Sequence, residues 1–124
     1  MIVAAATCLA LVMYREARGE SIATQIATAR ILQNRAAKRK TSECKELKRK
    51  NQFSWTSKYK VEPPHPVGSK DRAAWRLSQR LSKSLENLKV IGVKPSMVYF
   101  NTVSMGKRFK TKNKPRRIGK MIFY

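Results

Sequence analysis

Apolar positions along this chain change their period more than once, and each change marks an element. From Ile2 to about Arg18 the chain is rich in Ala, Leu, Met and Val, with neither Pro nor Gly before Gly19. That pattern predicts one buried helix with a glycine stop just past its end. Ser21 is an N-cap candidate for a second helix running to about Lys38, in which Ile22, Ile26 and Ala29 recur at helical spacing. Glu16 is then placed in the last turn of the first helix, and Glu20 beside the positive end of the second.

The texture changes between Lys40 and Lys70. A charged run leads into Gln52-Phe53-Ser54-Trp55-Thr56, read as a short strand or hairpin, and then into Glu62-Pro63-Pro64-His65-Pro66, whose prolines exclude a helix. Ser69, with Asp71 behind it, looks like the start of a third helix whose residues Ala74, Leu77, Leu81, Leu85 and Leu88 form an apolar core stripe. After Gly92, alternation through Met97-Val98-Tyr99-Phe100-Asn101 predicts a strand, followed by a basic loop to Arg117 and a closing strand Ile118–Tyr124. The sum is an α+β, helix-dominated fold with a small β-hairpin or sheet, one domain over residues 1–124, and no internal repeat.

Length agrees, since one hydrophobic core serves chains of about 100–150 residues. A hydrophobic content of 42 % is too high for a disordered tail. Charge changes the picture more: 28 Lys and Arg against 7 Asp and Glu give +21, which points to a polyanionic partner such as nucleic acid, an anionic membrane face or the bacterial envelope. Clusters at Arg35–Lys40, Lys45–Lys50 and Lys107–Arg117 read as solvated loops or faces. Cys8 and Cys44 have neither the spacing nor the histidines of a metal site. Two buried thiols are the default; a disulfide would suit an envelope enzyme, but needs Cβ atoms at bonding distance, which sequence separation does not fix. Ile2–Met13 is far short of the ~20 residues that span a bilayer and has no basic stretch before it, so it reads as a core helix, not a signal peptide.

Acidic residues are few enough to weigh singly, and in the Glu16-Ala17-Arg18-Gly19-Glu20 block two flank a helix junction. Opposite helix dipoles should push their pKa values apart, with Glu16 holding its proton as a general acid must and Glu20 staying ionised. The structural alternative makes both ion-pair partners of Arg15, Arg18 or Arg30. His65, the one histidine, reads as a surface residue in its Pro-rich loop.

Five blocks in order carry a resemblance. Cys8-Leu9-Ala10-Leu11 through Tyr14-Arg15-Glu16-Ala17-Arg18-Gly19-Glu20, with Gln25-Ile26-Ala27 and Asn34-Arg35, is similar to the opening signature of the SleB-type cell-wall hydrolases, the spore cortex-lytic enzymes. Cys44 with Gln52-Phe53-Ser54-Trp55-Thr56, then Ala74-Trp75, Tyr99-Phe100-Asn101, and Ile118-Gly119-Lys120 leading to Ile122-Phe123-Tyr124 continue it over nearly the whole chain. Two positions depart from the pattern, Arg15 and Met121, the second standing where the family often has His.

The resemblance implies a lysozyme-like fold and cleavage between N-acetylmuramic acid and N-acetylglucosamine, typically as a lytic transglycosylase leaving a 1,6-anhydro end, with Glu16 as acid/base. A two-carboxylate hydrolase with the same Glu16 is the alternative, and beyond Glu20 only Glu62 and Asp71 are candidates for its second acid. The spacing of the phage-type lysozyme triad finds Gln25 and Ile31 and is disfavoured. Gln52, Phe53, Trp55, Tyr99 and Asn101 are candidates for the substrate groove, aromatic faces suiting sugar rings and amides suiting N-acetyl groups. Among them Gln52, Tyr99 and Asn101 are expected to be accessible, while Phe53, Trp55 and Phe100 have core packing as the alternative, and Trp75 reads as packing.

No cofactor or metal is expected. The expected partners are peptidoglycan and an anionic envelope surface, lipopolysaccharide or phospholipid, met through the Lys and Arg clusters by a monomer. A leaderless short lysin would be made in a host cytoplasm and act in the periplasm or at the cell wall, after holin-dependent release or from a virion. The competing class is a small basic nucleic-acid-binding protein, for which no recognition-helix, zinc-finger or RNP-type motif is present.

Overall fold

The computed structural model describes residues 4–49, 52–90 and 92–124. Its centre is α1 (Ala5–Ala17), in which Cys8 to Tyr14 are all buried. A helix apolar on every side has to be wrapped, and α1 is packed by α2 (Ile22–Arg39), α3 (Glu43–Lys48) and α4 (Ser69–Lys83). The predicted start of the first helix at Ile2 lies outside the described residues.

Ser21 caps α2 as its sequence predicts, its hydroxyl accepting from Thr24 N–H at 3.1 Å. α2 buries two faces. Ile26, Ala29 and Leu32 join α1 in the main core, while Ala27 and Ile31 meet Met97, Met121 and Phe123 beneath a small sheet. That antiparallel sheet has the order β1 (Phe100–Thr102), β3 (Met121–Phe123), β2 (Arg116–Ile118), with Phe100 opposite Phe123 and Ile118 opposite Met121. All of β3 is buried. The chain is therefore α+β, dominated by helices, with one three-stranded sheet among the described residues.

Several sequence expectations are corrected. The charged run 45–50 is not simply a solvated segment: α3 occupies 43–48, capped by Ser42, and buries Glu46 and Leu47 completely. A six-residue helix is too short to show an apolar period. Gln52–Thr56 forms no strand. Ser54–Ser57 is a 3₁₀ turn, in which the Thr56 hydroxyl donates to Phe53 O at 2.7 Å and the Ser57 hydroxyl to Ser54 O at 2.9 Å. Hydroxyls that reach their own backbone in this way compete with strand pairing.

The alternation from Met97 delivers a strand only at Phe100–Thr102, because Met97 closes a turn with its N–H on Lys94 O, and Val98 and Tyr99 then both donate to Tyr124 O instead of alternating along a partner strand. The closing strand is instead a hairpin, turning at Gly119 with φ +58° and drawing Arg116–Ile118 out of the basic loop. The leucine stripe does reach the core, but α4 stops at Lys83, so Leu85 comes from a following 3₁₀ turn and Leu88 from beyond it.

Cys8 and Cys44 are bonded to each other, with their Cα atoms 5.4 Å apart, which corrects the default of two thiols. The unanticipated α3 is what carries Cys44 against α1. Closing a loop of sequence separation 36 restricts the unfolded chain, and loops of that size are worth about 3–4 kcal/mol. A Cys8→Ser/Cys44→Ser variant should therefore lose about that much unfolding free energy in urea titration, and a reducing agent should produce the same loss in the wild type.

Candidate active site

α1 delivers Glu16 from its last turn. Ala17 ends the helix, and Gly19 at φ +83° turns the chain into α2. A Cβ on Gly19 would meet nothing within 4 Å, so the backbone angle rather than space calls for glycine there.

Glu16 lines an open cleft of about 360 Å³. Arg35 of α2 forms one wall, Gln52, Phe53 and Ser54 another, and Phe100 of β1 with Arg108 of the basic loop closes the rest. Glu16 is the single carboxylate among these lining residues. Glu62 and Asp71 border a different depression, and Asp71 is paired with Arg18 at 3.4 Å. Glu20 lines neither; its N–H donates to Ala17 O and its carbonyl accepts from Gln25 Nε2, so its backbone serves the helix junction.

Burial raises the pKa of Glu16 above its ordinary 4.5, while the Arg35 guanidinium and the Trp55 indole N–H pull it part of the way back. Trp55 is 8 % exposed, and its buried indole N–H, beside the Glu16 carboxyl, has no full hydrogen-bond partner. Arg35 is itself drawn below the usual arginine value by burial, with Glu46, Tyr99 and Glu16 opposing that shift.

Four contacts set the position of Arg35. Its Nε donates to Val98 O at 2.5 Å, its guanidinium lies 4.8 Å from the Phe53 ring centre and 5.9 Å from that of Tyr99, and Nη1 is buried without a partner. The fourth is the field of fully buried Glu46, which accepts from Arg39 Nε at 3.1 Å and has Arg49 at 3.9 Å.

Gln52 and Phe53 stand in the cleft with Glu16. Tyr99 borders an adjoining recess with Arg35 and Gln52, its ring stacked on Phe109 at 4.5 Å. Asn101 is half-buried, and its amide is engaged: Nδ2 donates to Gly106 O at 2.7 Å and Thr102 O at 2.9 Å, and Oδ1 accepts from the Tyr124 hydroxyl. That hydroxyl also accepts from Arg108 N–H, so Asn101 helps place Arg108 and offers no free amide to the cleft. Met121, at the position that departs from the family pattern, is buried under the sheet.

Arg35, Ser54 and Arg108 are cleft residues that the sequence does not single out as site residues. Arg35 stands within a charged run, and its one signal is the Asn34-Arg35 pair of the resemblance. Among the described residues no group of three or more His, Cys, Asp and Glu is arranged to hold a metal ion, and no helix is long and apolar enough to cross a membrane.

No protein-family model, curated protein or solved structure matches the chain. The chemistry available to the cleft is that of one carboxyl with a raised pKa beside a fixed cation and an indole N–H, with Phe53 and Phe100 in the lining.

A carboxyl whose folded pKa lies above its unfolded value favours folding most below about pH 4.5 and loses that contribution as pH rises through the folded value. Glu16→Gln should therefore be more stable than wild type at pH 7, with the gap closing below pH 4, as read from paired denaturation curves. Arg35→Met removes a charge that favours the ionised form, so the Glu16 carboxyl followed by carbon NMR should titrate at higher pH than in wild type.

Proposed function

We propose that this chain cleaves the glycan strand of peptidoglycan between N-acetylmuramic acid and N-acetylglucosamine, acting as a lytic transglycosylase. The observation that carries the reading is Glu16: one carboxyl in an open cleft, with its pKa raised by burial and no second acid lining that cleft. A two-carboxylate hydrolase needs a partner about 5–10 Å away across the bond. A transglycosylase does not, because the sugar supplies its own nucleophile.

In this mechanism the Glu16 carboxyl gives its proton to the glycosidic oxygen as the bond from C1 to that oxygen breaks. The 6-hydroxyl of the muramic residue then attacks C1, and its proton passes to the Glu16 carboxylate, which restores the acid and leaves a 1,6-anhydro ring. Between the two steps Glu16 is anionic, and Arg35 with the Trp55 N–H favours that form. Burial favours the protonated form that starts the cycle. The groups opposing each other at Glu16 thus suit an acid that must also become a base.

The same reading takes the fold as lysozyme-like and the chain as a relative of the SleB-type enzymes. In its support, Glu16-Ala17-Arg18-Gly19-Glu20 runs from the last turn of a helix through a glycine turn to the residue before the next helix's N-cap, and Gln52-Phe53-Ser54 and Phe100, from two other blocks of the resemblance, line the Glu16 cleft. The charge of +21 suits an enzyme that works against an anionic envelope, in the periplasm or at the cell wall.

The test is mass spectrometry of soluble fragments released from purified peptidoglycan. Wild type should release muropeptides ending in 1,6-anhydromuramic acid, and Glu16→Gln should lower their rate of release by about 10²–10⁴-fold, the usual contribution of a general acid. Reducing muramic ends would assign a muramidase-type hydrolase with the same Glu16. No products from folded wild type, or equal products from the variant, would overturn the proposal and return the charge to a nucleic-acid partner.

A further inference from the structure

The residue before Glu16 on α1 faces a second depression. This one measures about 450 Å³; Tyr14, Arg15 and Arg18 of α1 line it, with Tyr59, the Pro63–Pro66 loop and Asp71 of α4. The guanidinium of Arg15 lies 4.0 Å from the Tyr59 ring centre, 5.3 Å from that of Tyr14 and 5.9 Å from that of Trp55. Rings hold this cation in place, and among the described residues no carboxylate forms an ion pair with it. Its Nε is buried and lacks a hydrogen-bond partner.

Arg18, by contrast, is answered within the protein. It pairs with Asp71 at 3.4 Å and donates to the Tyr14 hydroxyl at 2.8 Å. Arg15 is thus the pocket's unanswered cation: Asp71 answers Arg18, and exposed Lys60 and Glu62 offset each other at the rim, which leaves the charge of Arg15 in excess. An arginine pre-set against aromatic faces is built to take a carboxylate through charge-assisted hydrogen bonds. Prolines at 63, 64 and 66 stiffen the facing wall, so little ordering is left for a ligand to bring about.

Trp55 ties this depression to the cleft. Its ring meets Arg15 while its indole N–H faces Glu16. Arg15 and Glu16 thus meet different parts of one indole, which places the Arg15 pocket within reach of a substituent on a sugar held at Glu16. In peptidoglycan that muramic sugar carries, on its lactyl ether, a short peptide with free carboxylates. We propose that the Arg15 depression is a subsite for this stem peptide, with Arg15 binding one of its carboxylates and the enzyme preferring peptide-bearing glycan. The assignment rests on reading Glu16 as the acid for peptidoglycan cleavage.

Two measurements test it together. The first compares cleavage rates on peptidoglycan strands before and after an amidase has stripped their peptides. Wild type should favour peptide-bearing strands by about tenfold, as one charge-assisted contact would supply. Arg15→Met, and independently Tyr59→Ala at a half-exposed ring, should bring that ratio close to one, with the change in KM rather than kcat. The second titrates the free stem tetrapeptide into wild type and follows the Tyr59 and His65 ring protons by NMR. Shifts should appear with the free carboxylates and vanish when these are amidated or when Arg15 is Met.

Cleavage without preference and without peptide shifts would overturn the subsite and leave the role of Glu16 intact. An unchanged preference in both variants would overturn it as well. Peptide-dependent shifts in a folded protein that cuts no glycan would support a peptide site and sink the glycan reading instead. Neither cleavage nor shifts would remove both.

Discussion

Three side chains of α2 hold a long stretch of chain that has almost no secondary structure of its own. The Arg30 guanidinium donates to the carbonyls of Leu85 and Leu88, Asn34 Nδ2 to those of Lys94 and Met97, and Arg35 Nε to that of Val98. Carbonyls buried without such partners would each carry a desolvation cost. Positions 30 and 34 share one face of a helix and 35 lies next to 34, so α2 holds the backbone carbonyls of 85–90 and 92–98 with a row of side-chain donors. The register of that segment sets where β1 begins, and β1 brings Phe100 to the cleft. The site depends on this one-sided grip, since the last residue of the series, Arg35, is also the cation beside Glu16.

Opposed demands meet at Glu16. Its burial favours the neutral acid, and the same packing that buries it brings in Arg35 and Trp55, which favour the anion. Neither demand is met fully, because the Trp55 N–H and one Arg35 nitrogen are buried without a hydrogen-bond partner. Buried polar groups left short in this way are costly in a core and common where a ligand or a changing charge completes them. Glu46 extends the network, as a fully buried carboxylate on α3 whose field stabilises the arginines around it.

The disulfide joins this arrangement from behind. It ties α3 to α1, and α1 carries Glu16 while α3 carries Glu46. The helix that carries Glu16 and the helix whose Glu46 acts on Arg35 are thus held together covalently. The basic loop is ordered by contacts that use little charge pairing: Lys107 Nζ donates to the carbonyls of Thr111 and Asn113, and the Arg108 N–H to buried Tyr124. A chain with 28 basic and 7 acidic residues has too few acids to neutralise its loops, and it uses carbonyls and aromatic rings in their place.

The strongly periodic parts of this protein are legible in its sequence. α1, α2 and α4 follow from apolar spacing, the Ser21 cap and the Gly19 stop, and these local signals put Glu16 at a helix end beside a sharp turn. They also place the proline loop and the presence of a second, smaller β layer. The strand runs at Met97–Asn101 and Ile118–Tyr124 overlap β1 and β3, whereas α3 and β2 escaped, because six or three residues within a basic run leave no room for an apolar period to show. The pairing of Cys8 with Cys44, the burial of Glu46 within a basic run and the entry of Arg35 into the cleft were decided by tertiary structure alone. Each depends on the distance between side chains far apart in sequence, which packing sets and composition does not.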